Sequence, residues 1–251
     1  MAGHSKWKGI KHKKAIVDAA RGKVFTKVIR EITVAARMGG GSPDANSRLR
    51  LALVKAREAN LPKDRIDQAI KRGTGDLPGV TYEEQLMEAY GPGGVAILVE
   101  ILTDNKNRTA PEMRSILTKH GGNSAGAGAV AWMFQKKGII AVPMQGQSED
   151  ALMEIALEAG ADDLKVEGDM ATITASPQAL EPVKQALAAS KIPVESADLT
   201  MVPSTNVRVD NPDIAKQLLA LLDALEEQDD SQHVYANFEI PDELLAQLQE
   251  S

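Results

Sequence analysis

The sequence has no cysteine and few aromatic residues, and both scarcities limit what the protein can do. Its 251 residues include 0 cysteines, 2 tryptophans, 3 tyrosines and 3 phenylalanines. Without thiols the chain forms no disulfide framework, thiolate nucleophile, iron–sulfur cluster or cysteine-ligated zinc site. No run reaches the roughly 18 apolar residues that a membrane-spanning helix needs, and the basic first residues lack the apolar stretch of a secretory signal. We therefore expect a cytoplasmic protein with no membrane partner.

Motifs for catalysis and cofactor binding are also scarce. The four histidines have neither zinc-protease spacing nor cysteine partners, and the chain contains no nucleophile elbow and no Walker-type phosphate loop. Residues 126–131 match the dinucleotide fingerprint weakly, but the following segment has the pattern of a strand where a helix is required. A flexible loop is therefore favoured there. These residues predict no enzymatic activity, no metal site, no cofactor and no small-molecule substrate.

Charge is distributed unevenly along the chain. The whole chain carries 29 Lys and Arg against 35 Asp and Glu, a formal net charge of −6. Residues 1–75 hold 18 of the cations and 6 of the acids, so this segment is +12. The remainder holds 11 cations against 29 acids and is −18. Such an asymmetry is typical of a basic module that binds a polyanion, joined to an acidic body.

Two groups of cations in the basic segment are candidates for nucleic-acid contacts. The first surrounds Trp7 and comprises Lys6, Lys8, Lys11, Lys13 and Lys14. A flexible cationic arm can neutralise phosphates while an indole stacks on a base, although a solubilising tail with Trp7 folded back is the alternative. In the second group, Lys23, Lys27 and Arg30 recur at helical spacing beside an apolar stripe. We predict that these three contact phosphates and do not read bases.

Three features outside the basic segment have both a functional interpretation and a purely structural one. Lys106 and Arg108 precede a predicted helix N-terminus, whose free amides favour an anion, but a plain polar connection is slightly favoured. Trp132 and Phe134 would share one strand face, where a core position is favoured over a stacking platform. The acidic run of Glu226, Glu227, Asp229 and Asp230 is expected to be solvated surface. A metal site or a contact with the basic segment is less favoured for that run.

The periodicity of apolar residues predicts the order of the elements. Helices are expected over residues 22–37 and 45–59, and from Pro62 to a C-terminal cap at Gly73. Strands at 84–90, 95–102 and 129–134 follow. A helix capped by Thr109 is expected between the strands at 95–102 and 129–134. Residues 138–202 have the β-α-β-β-α-β order of a split βαβ unit. A helix at 212–227 and a strand at 234–240 complete the chain.

These elements predict an α+β fold with three domains. A basic helical domain with its N-terminal arm spans residues 1–75. A discontinuous α/β domain comprises residues 76–135 and 205–251. The third domain is a ferredoxin-like unit over residues 136–204 that is inserted in the second, because the second lacks a helix and a strand that only the C-terminal segment supplies.

Several motifs resemble the YebC/PmpR family of bacterial regulators and their mitochondrial translational-activator relatives. They are Met1-Ala-Gly-His-Ser-Lys-Trp7, Arg21-Gly-Lys-Val-Phe-Thr-Lys27, Arg30-Glu31, Asn46 with Arg48-Leu-Arg50, Tyr90-Gly-Pro-Gly-Gly94, Asp104-Asn-Lys-Asn-Arg-Thr109, Gly121-Gly-Asn123 and Pro203-Ser204. The resemblance covers essentially the whole chain and adds Arg21 to the candidate nucleic-acid contacts.

The resemblance implies three domains, with the third inserted in the second, and a non-enzymatic role in gene expression. Members are described as DNA-binding transcriptional regulators, and related members look like ribosome-associated factors that help translation through consecutive prolines. The expected partner is therefore DNA, or alternatively ribosomal RNA, because phosphate contacts carry binding in both cases. An enzyme with a site in an acidic cleft between the second and third domains is the least favoured hypothesis.

Overall fold

A computed structural model describes residues 18–250, with the side chains of residues 22–241 and 243–248. Within these residues the chain forms two compact units, one of residues 132–206 and one of residues 18–131 with 207–250. Helices come first and antiparallel sheets follow, and one unit is inserted in the other. This confirms the predicted fold class. No helix in the described part of the chain is long and apolar enough to cross a membrane.

The bounds of the elements follow the chain. The helices are α1 (Asp18–Gly39), α2 (Ser47–Glu58), α3 (Lys63–Thr74), α4 (Lys106–Lys119), α5 (Glu149–Glu158), α6 (Leu180–Ala189), α7 (Pro212–Glu227) and α8 (Asp242–Glu250). The strands are β1 (Glu83–Tyr90), β2 (Ala96–Thr103), β3 (Asn123–Ser124), β4 (Phe134–Pro143), β5 (Ala161–Glu167), β6 (Met170–Ala175), β7 (Ser196–Pro203), β8 (Val207–Arg208), β9 (Ser231–Ala236) and β10 (Phe238–Glu239).

Helices α1, α2 and α3 pack around a core of mostly small residues. Its buried members are Ile32, Ala35, Leu49, Ala52, Ala56, Leu61 and Ala69. The apolar stripe predicted for α1 consists of Val24, Val28, Ile32 and Ala35. Only its C-terminal half is fully buried, since Ile32 and Ala35 are fully buried and Val24 is 46% exposed. Burying alanines lets helix backbones approach closely, so this small domain gains packing without large side chains.

Gly73 fixes the contact between α1 and α3. A Cβ atom at this position would collide with the carbonyl oxygen of Thr33 and lie 2.7 Å from the Cβ of Ala36. Gly73 lies inside α3, so its predicted role as the C-terminal cap is wrong. The cap is Gly75, whose φ of 90° lies in the left-handed region that glycine adopts at helix ends. Close helix packing, not capping, explains the glycine at residue 73.

The same unit contains an antiparallel sheet with strand order β3-β1-β2-β9. Strand β2 is central, and its Ile97, Val99 and Ile101 belong to the core that α4 and α7 cover with Met113, Leu117, Leu218 and Leu222. Strands β8 and β10 form a separate parallel pair. The acidic C-terminal end of α7 leads directly into β9, next to the central strand.

The inserted unit is a four-stranded antiparallel sheet with strand order β5-β6-β4-β7 and helices α5 and α6 packed against it. This is the predicted β-α-β-β-α-β arrangement, and the prediction is confirmed. Its core includes Ile140, Leu152, Ile173, Val183 and Leu187.

Two details near the start of this unit differ from expectation. Strand β4 begins at Phe134, and residues 131–133 form a 3-10 turn, so the predicted strand over 129–134 is wrong. Phe134 is buried whereas Trp132 is 70% exposed, so the two aromatic residues do not share a strand face. The backbone amides of Val130 and Ala131 donate to the Glu88 carboxylate and cannot enter a strand ladder.

Candidate nucleic-acid interface

The candidate residues fall into three groups in the structure. Lys6, Trp7, Lys8, Lys11, Lys13 and Lys14 lie outside the described residues, and so does the side chain of Arg21. Lys23, Lys27 and Arg30 lie along α1, and Lys106 and Arg108 lie in the first turn of α4. Arg30 of the second group and Arg108 of the third meet at Asp230, just after the C-terminal end of α7.

The three cations of α1 contact the C-terminal end of α7. The Lys23 ammonium donates to the carbonyl oxygen of Glu227 at 3.3 Å, and the Lys27 ammonium donates to that of Glu226 at 2.5 Å. The Arg30 guanidinium donates to the carbonyl oxygen of Asp229. The last carbonyls of a helix have no partner within it and carry the negative end of its dipole, so cations stabilise this position. The predicted stripe shares one face, and that face binds a helix end.

Asp230 joins the two groups of candidate cations. Its carboxylate is 1% exposed and accepts from Arg30 at 2.8 Å, from Arg108 at 2.9 Å and from the Thr109 hydroxyl at 2.6 Å. Burial alone would raise the pKa of Asp230, but these hydrogen bonds and the two positive charges lower it below its usual range. The expectation of solvated surface is therefore wrong for Asp230. Asp230 contacts Arg30 of the basic segment, which is the interpretation that the sequence favoured less.

The first turn of α4 is capped differently from the prediction. Asn105 is the N-cap, and its side chain accepts from the Arg108 amide at 3.2 Å. Thr109, the predicted cap, lies inside the helix, and its hydroxyl donates to Asp230. Arg108 also pairs with Asp104 at 2.9 Å, and the exposed Lys106 pairs with Glu83 at 3.3 Å. Both cations of this loop are thus partnered by carboxylates.

Arg48 forms a second link between the helices and the sheet. Its guanidinium donates to both carboxylate oxygens of Glu31, at 2.7 and 3.0 Å, and contacts Glu84 of β1 at 2.5 Å. The hydrogen bond to Glu31, opposed by burial and helped by the hydrogen bond to Glu84, raises the pKa of Arg48. The Arg30 guanidinium lies 5.6 Å from the ring centre of Tyr82. The contacts of Arg30 and Arg48 together hold α1 against the α/β part of its unit.

Other cations of the helical domain have no such partner. They are exposed and form no ion pair or side-chain hydrogen bond with any residue in the described part of the chain: Arg37, Arg50, Arg57, Lys63, Arg65, Lys71 and Arg72. The sequence predicted a basic surface for this domain but did not single these residues out. Charge counts treat paired and unpaired cations alike, so no signal in the sequence separated them from the stripe on α1.

The glycine-rich loop at residues 126–131 is bound by a carboxylate. Glu88, 6% exposed on β1, accepts from the amides of Gly128, Val130 and Ala131 at 2.6, 2.6 and 2.8 Å. Burial opposes ionisation, but these amides outweigh it and lower the pKa of Glu88. The amides that a dinucleotide phosphate would need are therefore occupied. Among the described residues, no group of three or more His, Asp or Glu side chains could hold a metal ion.

Comparisons with known proteins identify the family. The model described as "TACO1/YebC protein N-terminal domain" matches residues 5–76, and that described as "TACO1/YebC second and third domain" matches residues 82–238. The chain belongs to the TACO1/YebC family. The resemblance seen in the sequence is thereby confirmed.

Relatives in the family match along nearly their whole length. A "Probable transcriptional regulatory protein" of Syntrophobacter fumaroxidans is 56% identical over 99% of this chain and 100% of its own. A protein with the same description from Desulforapulum autotrophicum is 55% identical over 97% of this chain and 98% of its own. The crystal structure of a conserved hypothetical protein from Aquifex aeolicus superposes with a TM-score of 0.82 at 48% identity, covering 94% of this chain and 97% of that one. The names of the first two relatives support a regulatory role.

Proposed function

We propose that this chain is a non-enzymatic, nucleic-acid-binding regulator of gene expression that acts on DNA as a transcriptional regulator in the cytoplasm. One observation carries the proposal: seven exposed cations on α1, α2 and α3 have no ion pair with any residue that the structure describes. Exposed Lys and Arg without carboxylate partners can approach a phosphate without first breaking an ion pair. Each one that neutralises a phosphate releases a counterion. The regulatory names of the relatives support the same function.

The individual contact residues remain predictions. Lys6, Trp7, Lys8, Lys11, Lys13, Lys14 and Arg21 are proposed contacts on charge and position in the sequence alone. Lys23, Lys27, Arg30, Lys106 and Arg108 are proposed as weaker contacts, because each must leave or share a partner to reach a phosphate. The main phosphate-binding surface is then the outer face of α2 and α3.

A salt titration of the full chain tests this proposal. Binding to a duplex DNA is measured by fluorescence anisotropy for the parent and for a variant with Arg50, Arg57 and Lys71 changed to Ala. The control changes Lys119, Lys136 and Lys216 to Ala, three exposed cations outside the helical domain. The slope of log K against log salt should flatten by roughly 0.9 per cation in the first variant and stay unchanged in the control.

Three outcomes would overturn the proposal or change it. Absence of binding by the parent at low salt would remove the nucleic-acid function, and equal slopes in the two variants would show that the cations of α2 and α3 do not carry the binding. Co-sedimentation with ribosomes, combined with DNA binding that shows no sequence preference, would favour the alternative of a ribosome-associated translation factor. The same cations suit ribosomal RNA, so this second measurement decides between the two targets.

A further inference from the structure

Helices α2 and α3 are joined by a short and sharply defined turn. Four residues, 59–62, separate them. Asn60 has a φ of 57°, in the left-handed region. The Asn60 amide donates to the Arg57 carbonyl at 2.9 Å, and the Leu61 amide donates to the Ala56 carbonyl at 2.8 Å. This is the hydrogen-bond pattern of a Schellman motif, which ends α2 cleanly. Pro62, whose φ the ring fixes, is the N-cap of α3.

Both helices also pack against one apolar core. Ala52 and Ala56 of α2, Leu61 of the turn and Ala69 of α3 are buried against Ile32 and Ala35 of α1. The pair therefore forms a helix-turn-helix element that packs on α1, and its outer face stays exposed.

The outer face of α3 is unusually exposed. Of its twelve residues only Ala69 is fully buried. The exposed polar residues are Lys63, Asp64, Arg65, Asp67, Gln68, Lys71, Arg72 and Thr74. The four cations have no ion-pair partner among the described residues, and they outnumber the two carboxylates. On α2, Arg50 and Arg57 flank Val54, which is 43% exposed, at helical spacing.

Charge and shape together select the partner for this face. A cationic helix whose outer face has few apolar residues suits a polyanion and does not suit an apolar protein groove. At about 1.5 Å per residue, α3 is roughly 18 Å long, and the major groove of B-form DNA, about 12 Å wide, admits one α-helix. The major groove of A-form RNA is too narrow for side chains to read it.

We propose that α2, the turn and α3 form a DNA-docking helix-turn-helix element, with α3 in the major groove of duplex DNA. Residues in the N-terminal half of a recognition helix reach base edges, and here they are Arg65 and Gln68. Arg forms paired hydrogen bonds with guanine and Gln forms them with adenine. Arg50 and Arg57 lie on the preceding helix, which crosses the phosphate backbone in this motif. This inference rests on the proposed function. It adds that the protein binds duplex DNA in the major groove, and it names the residues that contact base edges.

The test uses the full chain and a duplex pool with 20 random base pairs as the probe. Sequences selected by the parent are compared with unselected duplex and with an A-form RNA duplex of equal length. The double variant Arg65→Ala, Gln68→Ala should lose at least tenfold in affinity for the selected duplex and about threefold or less for unselected duplex. The control Lys71→Ala should weaken both by the same factor. Circular dichroism confirms that each variant is folded, which is expected because all three side chains are exposed.

The outcomes separate this inference from the function on which it rests. Failure of the parent to bind any nucleic acid would remove both. Binding with no enriched sequence, an unchanged preference in the double variant, or tighter binding to the RNA duplex than to DNA would overturn the helix-turn-helix assignment and leave nucleic-acid binding intact. A selective loss on the chosen duplex alone would support it.

Discussion

The helical domain carries two sets of cations that look alike in the sequence and differ in the structure. Lys23, Lys27 and Arg30 of α1 bind the carbonyls and the carboxylate at the end of α7. The cations of α2 and α3, such as Arg57 and Arg65, project outward without ion pairs among the described residues. Each cation of either set contributes one positive charge to the segment, so a charge count does not distinguish them.

The comparison shows that a charge pattern defines a shared face but not its partner. Spacing of three and four residues put the α1 cations on one face, as predicted. The partner of that face is a helix terminus more than 190 residues away in the chain, with hydrogen bonds spanning 199 to 204 positions. A cation that stabilises the protein in this way is a poorer source of binding energy, because moving it to a phosphate breaks the first contact.

The largest expected effect follows removal of the buried carboxylate. In Asp230→Asn the charge that partners Arg30 and Arg108 is lost, and the 12% exposed Arg30 keeps a charge that water cannot fully solvate. We expect a decrease of about 3 kcal/mol in the free energy of unfolding, measured by urea denaturation. Asp229→Asn is the matched control, because the neighbouring side chain is exposed. A loss of stability equal in both variants would show that the contact contributes little.

The pH dependence of stability should depend on the same carboxylate. The pKa of Asp230 in the folded state lies below its value in the unfolded chain, about 3.9. Its contribution is therefore present at neutral pH and is lost as the pH falls below about 4 and through the folded pKa. Denaturation curves from pH 7 to pH 2 should show the stability difference between the parent and Asp230→Asn shrinking over that range. A constant difference would contradict this assignment, and Asp229→Asn should follow the parent throughout.

A smaller effect is expected where α3, which carries unpaired cations, packs on α1. A methyl group in Gly73→Ala would collide with the Thr33 carbonyl and the Ala36 side chain, so we expect a loss of about 2 kcal/mol. Gly22→Ala in α1 meets nothing within 4 Å and should stabilise the helix by up to about 1 kcal/mol. Thermal unfolding of both variants measures the contrast. Equal melting temperatures would show that α1 and α3 adjust easily to each other.

Much of the fold could be predicted from the sequence, because local patterns determine it. The helix at Pro212–Glu227 has the predicted bounds, since Pro after an Asn cap is a local signal. Predictions failed where a distant residue intervened. Glu88 binds the amides of residues 128–131 and prevents a strand there, and Asp230 uses the hydroxyl predicted to cap α4. The partners of the cations are likewise set by tertiary contacts, so the candidate site was predicted in composition but not in arrangement.

The smallest effect on DNA binding is expected from removing the paired cations, and it tests the comparison most directly. A variant with Lys23, Lys27 and Arg30 changed to Ala has the same change in charge as the variant lacking Arg50, Arg57 and Lys71. If the contacts with α7 persist in the DNA complex, its slope of log K against log salt should flatten by well under the roughly 0.9 per cation expected for free cations. Its free energy of unfolding should fall as well, because the end of α7 loses three hydrogen-bond donors. Anisotropy titrations of both triple variants on one duplex, with urea denaturation in parallel, measure the two quantities. A slope change near 0.9 per cation with unchanged stability would mean that these side chains leave α7 to bind phosphate, and the two sets would then be equivalent.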